Sequence, residues 1–283
     1  MNGKKSKKLL ALYGLKWNPF SPGLPGEALW IGKQIEYFLW RMEQQVFQGG
    51  FAMVTGEPGA GKSVVLRLLA ERLGRIRDVQ IGVLSRPQSR VADFYREMSE
   101  IFGVKLSASN RWGGFKVLRD KWRTHVETTL MRPVLLIDEA QELPAETLSE
   151  LRLLQSANFD SLSYLTAVLC GDARLPALLR HTELMPVESR IRTRIVLEYA
   201  SRDELLELLQ HILEKAGNHT LLTKEASEAL VDHCAGNVRA LMHMGAELLE
   251  AAVAAEAPQI DEKLYLEIFA APPARAAKPR RVR

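Results

Sequence analysis

Short apolar runs alternate with longer segments of helical periodicity over the first two hundred residues. The runs hold four to seven residues and predict buried strands, whereas the segments between them repeat apolar side chains every three or four residues. Strands that are apolar on both faces and separated by helices indicate a mainly parallel sheet, an α/β fold. The predicted strands are Phe51–Thr55, Val79–Leu84, Val134–Ile137, Tyr164–Cys170 and Arg194–Tyr199. The predicted helices are Ser63–Leu73, Val91–Phe102, Gly114–Leu130, Ala145–Ser156 and Ala173–Arg180.

The pattern changes after Tyr199, where no further strand is evident. Residues 201–204 (Ser-Arg-Asp-Glu) form a capping-box sequence that opens a helix to about Lys215. Thr223 opens a second helix, which we expect to end near Gly236 with a residue in the left-handed conformation. Two more helices are predicted at about 238–256 and 261–269. The predicted domains are a basic N-terminal tail at 1–12, an α/β domain at 13–200, a small helical domain at 201–270 and a disordered basic tail at 271–283.

Positive charge is concentrated at the two ends of the chain. Residues 1–8 hold four lysines and residues 271–283 hold five basic side chains, and neither stretch holds an acidic one. The remaining residues carry 29 basic against 34 acidic side chains, so the net charge of +4 comes from the ends. Such tails are either solvated extensions or flexible arms that contact a nucleic acid, in which case binding would depend on salt.

The composition narrows the class of protein. With 47% hydrophobic and 25% charged residues the chain is globular rather than collagen-like or of low complexity. Its two cysteines, Cys170 and Cys234, form neither a disulfide framework nor a metal-ligand motif, so we expect them to be buried in a reducing compartment. No apolar run approaches the roughly 18 residues that span a bilayer. We therefore expect a cytoplasmic protein without a membrane segment.

The segment between the first predicted strand and helix carries a nucleotide-binding motif. Residues 56–63 (Gly-Glu-Pro-Gly-Ala-Gly-Lys-Ser) match G-x-x-x-x-G-K-[ST] in full. In such a loop the backbone N–H groups surround phosphates, and the helix N-terminus adds its positive dipole end. Lys62 would contact the β- and γ-phosphates of ATP, and Ser63 would bind Mg²⁺. The residues assigned to the phosphate cradle are Gly56, Glu57, Pro58, Gly59, Ala60, Gly61, Lys62, Ser63 and Val64.

A second motif follows the third predicted strand. Val134–Ile137 is apolar, and Asp138 and Glu139 come directly after it, at the edge where open α/β sheets bind their ligands. Asp138 would hold the metal, directly or through water, and Glu139 would orient and polarise the attacking water. The two motifs together predict hydrolysis of ATP rather than a chance glycine-rich turn beside an exposed strand end.

With these motifs the chain resembles the AAA+ ATPases, and among them the group that contains the ExeA, TnsC, TniB and MuB proteins. The supporting stretches are residues 138–143 (Asp-Glu-Ala-Gln-Glu-Leu), 151–154 (Leu-Arg-Leu-Leu) and 169–175 (Leu-Cys-Gly-Asp-Ala-Arg-Leu), and residues 13–20 are similar to the opening motif of ExeA-like proteins. The resemblance covers about residues 13–270. It implies a five-stranded parallel sheet in the order 5-1-4-3-2, a helical lid, ATP between them, and assembly into rings or filaments.

The resemblance also implies roles for residues outside the two motifs. Asp172 falls at the sensor-1 position, where many AAA+ proteins have Asn or Thr. Arg239 falls at sensor 2 and would contact the γ-phosphate from the lid. Arg190, with Arg192 as the alternative, falls where the family places the arginine finger that acts on the neighbouring subunit, a group worth about 10³–10⁵ in rate. Without the resemblance, both arginines are typical of a surface beside an edge strand.

The segment from Tyr13 to Phe20 has two interpretations. Its aromatic and apolar side chains are typical of a lip around an adenine ring. They are equally typical of an N-terminal segment that packs on the sheet. The sequence leaves both open.

A basic stretch with aromatic residues lies between the second and third predicted strands. Residues 111–132 hold six basic and two acidic side chains, and surfaces that face nucleic acid commonly combine such charge with aromatic rings. Trp112, Phe115, Leu118 and Trp122 recur with helical spacing, so we expect them to form the inner face of a helix. The candidates for contact with DNA phosphates are Lys116, Arg119, Lys121 and Arg123.

Three functions are compatible with this sequence. The first is the regulatory ATPase of a transposable element, which assembles on duplex DNA in the ATP state, works with a transposase or targeting protein, and disassembles on hydrolysis. The second is an ExeA-like secretion or envelope accessory ATPase that acts on protein partners. Such proteins usually continue into a transmembrane segment and a wall-binding domain, so the lack of a membrane span favours DNA. The third is a nucleotide-dependent scaffold with little turnover, against which Glu139 argues.

Overall fold

The computed structural model describes residues 9–84, 87–88, 90–104, 111–159 and 161–269, the side chain of Arg111 excepted. The chain divides into two units. The sheet unit runs from Ile31 to Tyr199, and the helical unit combines the residues up to Trp30 with those from Ala200 onward. The described residues do not include the two basic stretches, 1–8 and 271–283. The disorder expected for 271–283 stays a prediction.

A five-stranded parallel sheet forms the centre of the sheet unit, and a short antiparallel hairpin accompanies it. The strands are β1 (Gly50–Gly56), β2 (Val79–Leu84), β3 (Arg132–Ile137), β4 (Ser156–Ala157), β5 (Leu162–Ser163), β6 (Thr166–Gly171) and β7 (Ile191–Leu197). The sheet has the order β2-β3-β6-β1-β7, and β4 pairs with β5. Counted within the sheet alone, this order is 5-1-4-3-2, so the predicted topology is confirmed. The central strands β1, β3 and β6 are buried along nearly their whole length, as expected for strands covered on both faces.

The helices of the sheet unit connect these strands. They are α1 (Lys33–Gln45), α2 (Lys62–Leu73), α3 (Val91–Phe102), α4 (Arg111–Thr124), α5 (Ala145–Gln155), α6 (Arg174–Leu179) and α7 (Met185–Glu188). A π-helical turn, His125–Thr129, follows α4, so the helix predicted to reach residue 130 changes its hydrogen-bond pattern part-way. The sequence did not predict α1, α7 or the hairpin of β4 and β5.

The helical unit contains helices whose ends are fixed by capping residues. Its helices are α8 (Arg202–Ala216), α9 (Lys224–Cys234), α10 (Val238–Ala254) and α11 (Glu262–Phe269). The predicted capping box is confirmed, because the Ser201 hydroxyl accepts from the Glu204 amide while the Glu204 carboxylate accepts from the Ser201 amide. Gly236 has φ +85°, the left-handed conformation predicted there. Within the described residues, no helix combines the length and the apolar character needed to cross a lipid bilayer.

The segment that precedes Trp30 packs into the core of the helical unit. Tyr13 and Phe20 are buried among side chains of α8 and α10, and the Tyr13 hydroxyl donates to the Ala257 carbonyl at 2.9 Å. Of the two interpretations of this segment, packing on the sheet is not what the structure shows, because its side chains belong to the core of the helical unit. Residues 9–13 are helical, and Leu9 is buried in the same core. A helix this short is unstable by itself in water, so this packing stabilises it. A contact with adenine is not tested and stays a prediction.

Candidate nucleotide site

The predicted nucleotide residues of the sheet unit lie at the carboxyl edge of the sheet. Strand β6 stands between β1 and β3, and Thr55 of β1 is level with Gly171 of β6. The loop after β1 carries the glycine-rich motif, and the loops after β3 and β6 begin with Asp138 and Asp172. The parallel topology thus gathers three separate stretches of sequence at one edge.

Glycine is required at three positions of the loop after β1. A Cβ built on Gly56 would lie 2.3 Å from the Leu197 carbonyl oxygen of the neighbouring strand β7. Gly59 and Gly61 have φ values of +89° and +98°, a region that L side chains rarely adopt. These glycines let the chain turn sharply from β1 into α2, so that Glu57 and Pro58 stand exposed at the tip of the loop while Ala60 is partly buried.

Lys62 and Ser63 begin α2 directly behind this loop. The Lys62 ammonium group donates to the carbonyl oxygens of Gly56 and Glu57, at 2.8 and 3.1 Å. The Ser63 hydroxyl donates to the Asp138 carboxylate at 3.2 Å, and Val64 follows in the first turn of the helix. The two motifs predicted from the sequence are therefore in direct contact through Ser63 and Asp138.

Glu139 has an unusual backbone conformation. Its φ and ψ are +51° and +41°, the left-handed region, although it has a full side chain. Its amide donates to the Asp138 carboxylate at 3.0 Å, which ties the turn to the end of β3. Backbone strain of this kind costs of order 1–3 kcal/mol and is concentrated at functional sites, which agrees with the role predicted for Glu139.

Gln141 is a member of the site that sequence reasoning missed. Its side-chain amide donates to the Glu139 carboxylate at 2.5 Å, and its carbonyl oxygen accepts from the Asp172 backbone amide at 3.3 Å. Gly171 makes room for it, because a Cβ there would lie 2.4 Å from the Gln141 carbonyl oxygen. One side chain thus links the end of β3 to the end of β6. The only available signal was that Gln141 lies within the stretch that resembles the AAA+ group.

Asp172 is held by the arginine two residues later. The Arg174 guanidinium pairs with the Asp172 carboxylate at 2.9 Å and with Glu142 at 3.0 Å. Hydrogen bonding from Arg174 holds the pKa of the Asp172 carboxyl below its usual range, so this group is ionised. The carboxylate faces Arg174, whereas the Asp172 amide is the atom that connects to Gln141. The sensor-1 role of Asp172 stays a prediction.

Cys170, the penultimate residue of β6, is buried beside Asp138. Burial raises the pKa of the Cys170 thiol well above its ordinary range, and the charge of Asp138, to which the thiol donates a hydrogen bond, raises it further. A thiol in this environment stays protonated and unreactive. Both cysteines are free and buried, as the sequence predicts.

The oxygen atoms present suit a magnesium ion. Ser63 Oγ and Asp138 Oδ2 lie 3.2 Å apart, and Mg²⁺ is commonly held by one or two protein oxygens together with substrate phosphates and water. Among the described residues, no group of three or more His, Cys, Asp or Glu side chains could hold a metal ion by itself. The site therefore fits a magnesium ion shared with a bound nucleotide.

Arg190 and Arg192 lie at the start of the edge strand β7. Arg190 is partly buried, and its guanidinium donates to the Pro186 carbonyl. Arg192 is exposed and donates to the Gln48 side chain at 3.4 Å. Their action on a neighbouring subunit is not tested and stays a prediction.

Arg239 lies in the first turn of α10 in the helical unit. Asn237 caps this helix by accepting from the Ala240 amide at 3.1 Å, and Arg239 is exposed. Its predicted contact with the γ-phosphate stays a prediction.

Helix α4 carries the predicted DNA-contacting residues, but its inner face differs from the predicted one. Leu118 and Trp122 are buried as predicted, and Gly114 packs against the Tyr95 ring. Trp112 keeps 72% of its surface exposed, so the prediction that it belongs to the inner face is wrong. The reason is geometric: at about 100° per residue, Trp112 stands on the opposite side of the helix from Gly114.

The basic side chains of α4 differ in availability. Lys116 is exposed, and Arg119 is partly buried with its guanidinium over the Phe115 ring. Arg123 is exposed but pairs with Asp120 at 3.2 Å. The Lys121 ammonium donates to the Phe102 carbonyl at the end of α3, where it stabilises the fold. Contacts of these four residues with DNA stay a prediction.

Comparisons with known proteins agree with this site. The family model described as AAA domain matches residues 44–179. The general secretion pathway protein A of Aeromonas hydrophila is 31% identical over 172 residues, which are 60% of this chain and 30% of that protein. This chain therefore matches under a third of that relative's length.

Solved structures share the fold. Cdc6p of Pyrobaculum aerophilum has a TM-score of 0.70 at 16% identity, over 86% of this chain and 67% of that one. The ORC1 protein of Aeropyrum pernix in complex with DNA has a TM-score of 0.63 at 16% identity, over 88% and 67%. The RuvB Holliday junction branch migration motor of Thermotoga maritima has a TM-score of 0.56 at 17% identity, over 84% and 68%. Residues 44–179 thus match an AAA domain, and the chain shares its fold with these solved structures.

Proposed function

We propose that this chain is an ATP-driven switch that assembles on duplex DNA in its ATP state and leaves it after hydrolysis. One observation carries the proposal: the sheet unit holds both a nucleotide site and a strongly basic helix, α4, with five basic residues and one acidic residue. The nucleotide site and the proposed DNA-binding helix thus lie in one folded unit. A change in the bound nucleotide can therefore alter the binding of DNA.

The chemistry we propose is hydrolysis of the terminal phosphoanhydride bond of ATP. Lys62 would contact the β- and γ-phosphates, and Ser63 and Asp138 would hold Mg²⁺, which would neutralise phosphate charge. Glu139 orients the attacking water. Since positioning dominates phosphoryl transfer, the strained backbone of Glu139 and its bond from Gln141 are the features that fix this carboxylate.

Three further groups would sense the γ-phosphate. Asp172 is coupled to Glu139 through Gln141. Arg239 would reach the phosphate from the helical unit, and Arg190 or Arg192 from a neighbouring copy in a ring or filament. Assembly would then require ATP, because the γ-phosphate is the group that these residues share.

The DNA contact would be to the backbone rather than to bases. Lysine and arginine contacts to phosphates position a protein without reading sequence, and Lys116, Arg119 and Arg123 are of this type. The shared fold with an ORC1 protein in complex with DNA and with a branch migration motor supports a DNA substrate. The resemblance to TnsC, TniB and MuB supports regulation of transposition, with a transposase or targeting protein as partner.

A second candidate is a secretion accessory ATPase that acts on protein partners. The 31% identity to a general secretion pathway protein A favours it. In that case the charge of α4 would contact an acidic protein surface, and nucleotide would not control DNA binding.

The test is fluorescence anisotropy of a random-sequence duplex without nucleotide, with ADP, and with a non-hydrolysable ATP analogue, each over a salt series. We expect tight, cooperative binding only with the analogue. Lys62→Ala should lose nucleotide binding and DNA binding together, whereas Glu139→Gln should bind ATP and hold DNA longer. Rapid release of DNA by Glu139→Gln would contradict the switch.

Removing single charges distinguishes a direct contact of α4 with DNA from the effect of the protein's overall charge. Lys116→Ala should weaken binding to every duplex and lower the salt slope by about one. Lys33→Ala is the matched control, because Lys33 is exposed on α1, a helix with two basic and two acidic residues. Weak binding that ignores nucleotide in all variants would overturn the DNA switch and favour the secretion role.

A further inference from the structure

Three side chains form a stacked ladder along α4, from exposed Trp112 to Phe115, which is partly buried against the core of the sheet unit, and Arg119. The Trp112 and Phe115 rings stack with centroids 5.8 Å apart and planes inclined by 13°. The Arg119 guanidinium lies 5.5 Å from the Phe115 centroid, as a cation–π contact. The positions 112, 115 and 119 follow the helical repeat, so an arginine, a phenylalanine and a tryptophan succeed one another along one stripe of the helix.

The outermost member of this ladder is open to solvent. Trp112 keeps 72% of its surface, while Leu118 and Trp122 of the same helix are fully buried. Phe115 holds the Trp112 ring in place, so a flat ligand that stacks on Trp112 meets an ordered surface. Rigid aromatic surfaces of this kind bind with a small loss of side-chain freedom.

A second exposed aromatic pair lies on α1, and the two pairs differ in the charge of the helix that carries them. This difference indicates which class of ligand each pair could bind. Tyr37 and Trp40 on α1 stack with centroids 5.8 Å apart and planes at 28°, and Trp40 keeps 50% of its surface. That helix carries two basic and two acidic residues, whereas α4 carries five basic residues and one acidic. Only the α4 pair therefore combines a stacking surface with a surplus of positive charge, which is the combination that binds single-stranded nucleic acid.

We propose that the Trp112–Phe115–Arg119 ladder is a stacking site for unpaired bases of single-stranded DNA. This inference rests on the proposed function in taking DNA as the polymer, and it adds a second DNA form to it. The Trp112 ring takes the base, the ladder behind it supports the ring, and Lys116 and Arg123 are placed along the same helix for the phosphates on either side.

Duplex DNA offers no exposed base face that could stack on this ladder. In a duplex the faces of the bases are covered by their neighbours, and only base edges and phosphates are within reach of an exposed helix. A base that has left the duplex exposes the face that stacks on tryptophan, and unstacking costs least where the strand is already single. The ladder therefore favours unpaired over paired DNA, whereas the basic side chains do not distinguish them.

The test is titration of the full chain with an oligothymidine of about 20 nucleotides, longer than one binding site, followed by tryptophan fluorescence and anisotropy. Stacking of a base on Trp112 should quench emission. Trp112→Ala should weaken binding about tenfold or more, the usual loss for one base stack. Trp112→Phe should keep the affinity within about threefold, because a ring remains, and should lose the quenching.

Matched controls use the other pair and the other DNA form. Trp40→Phe should leave both quenching and affinity unchanged, and Trp112→Ala should change binding of a closed hairpin duplex less than twofold, about the size of experimental error. Unchanged oligothymidine binding in Trp112→Ala would overturn the inference while leaving the duplex switch intact. Emission of Trp112 that follows protein concentration instead of oligonucleotide would overturn it too, and would make the ladder a contact between copies.

The two proposals fail separately. If oligothymidine quenches Trp112 but no nucleotide state binds duplex, the switch fails and the stacking site stands. If neither DNA form binds in any nucleotide state, both are overturned.

Discussion

Replacing Gly245 with alanine should destabilise the helical unit, although alanine is the better helix former. Gly245 lies inside α10, where alanine is favoured by about 1 kcal/mol. The Phe20 ring fills the space beside it: a Cβ built on Gly245 would lie 2.3 Å from a ring carbon. Overpacking of this kind costs about 1–3 kcal/mol, and the overlap is deep. We expect a net loss of about 1–2 kcal/mol in the free energy of unfolding.

The effect should change sign when the ring is removed. Phe20→Ala alone should cost about 3–5 kcal/mol, since Phe20 is 3% exposed in the core of this unit. In that background the added methyl group of Gly245→Ala no longer meets the ring. The substitution should then stabilise by about 1 kcal/mol, the propensity gain, and by more where the methyl group fills part of the cavity.

Urea unfolding of the four chains of this cycle, followed by far-UV circular dichroism, measures the coupling. Phe38→Ala is the control background: Phe38 is a buried phenylalanine of α1 in the sheet unit, so Gly245→Ala should stay destabilising there. Equal effects of Gly245→Ala with and without Phe20 would refute the packing of the N-terminal segment on α10.

Three other predictions follow from the site and the helical unit. Gln141→Ala should slow ATP hydrolysis about tenfold, because a hydrogen bond to the charged Glu139 is worth about 1.5–3 kcal/mol, while ATP binding measured by calorimetry stays unchanged; a loss of binding instead would contradict a positioning role. Arg190→Ala and Lys62→Ala, each inactive alone, should recover ATPase activity when mixed if the arginine acts on a neighbouring subunit, and mixtures that stay inactive would contradict this. Burial raises the pKa of Tyr13 above its ordinary 10.0, so the unfolded chain loses this proton first and stability should fall as the pH rises past about 10; Tyr13→Phe should lack this part of the fall in alkaline unfolding curves, and identical curves would refute it.

The nucleotide motifs were predictable because their chemistry is local. The glycine-rich loop needs left-handed residues and a close approach to a neighbouring strand, and Gly56, Gly59 and Gly61 satisfy these needs within six residues. The strand order followed from the family resemblance. The contact of Gln141 with Asp172 could not be predicted, since it depends on which strands are neighbours and on the space at Gly171.

Periodicity failed where two faces of one helix both carry aromatic rings. On α4 the spacing of Trp112 to Trp122 fits a helix, but spacing alone does not say which stripe faces the core. The space beside Tyr95 at Gly114 decides this. The packing of the N-terminal segment could not be predicted for a related reason. The apolar rings of Tyr13 and Phe20 predict burial, but they do not identify the surface that buries them.

The helical unit is assembled from both flanks of the sheet unit, and this has a consequence for synthesis on the ribosome. Leu9, Tyr13, Leu15, Phe20 and Leu24 share a core with α8 and α10, yet the whole sheet unit is translated between them. At about 5–20 residues per second the early segment waits roughly 10–45 seconds for its partners. During that time its apolar side chains are open to chaperones or to other nascent chains. The sheet unit, whose residues are contiguous, can close first, and the helical unit follows once α10 has left the exit tunnel.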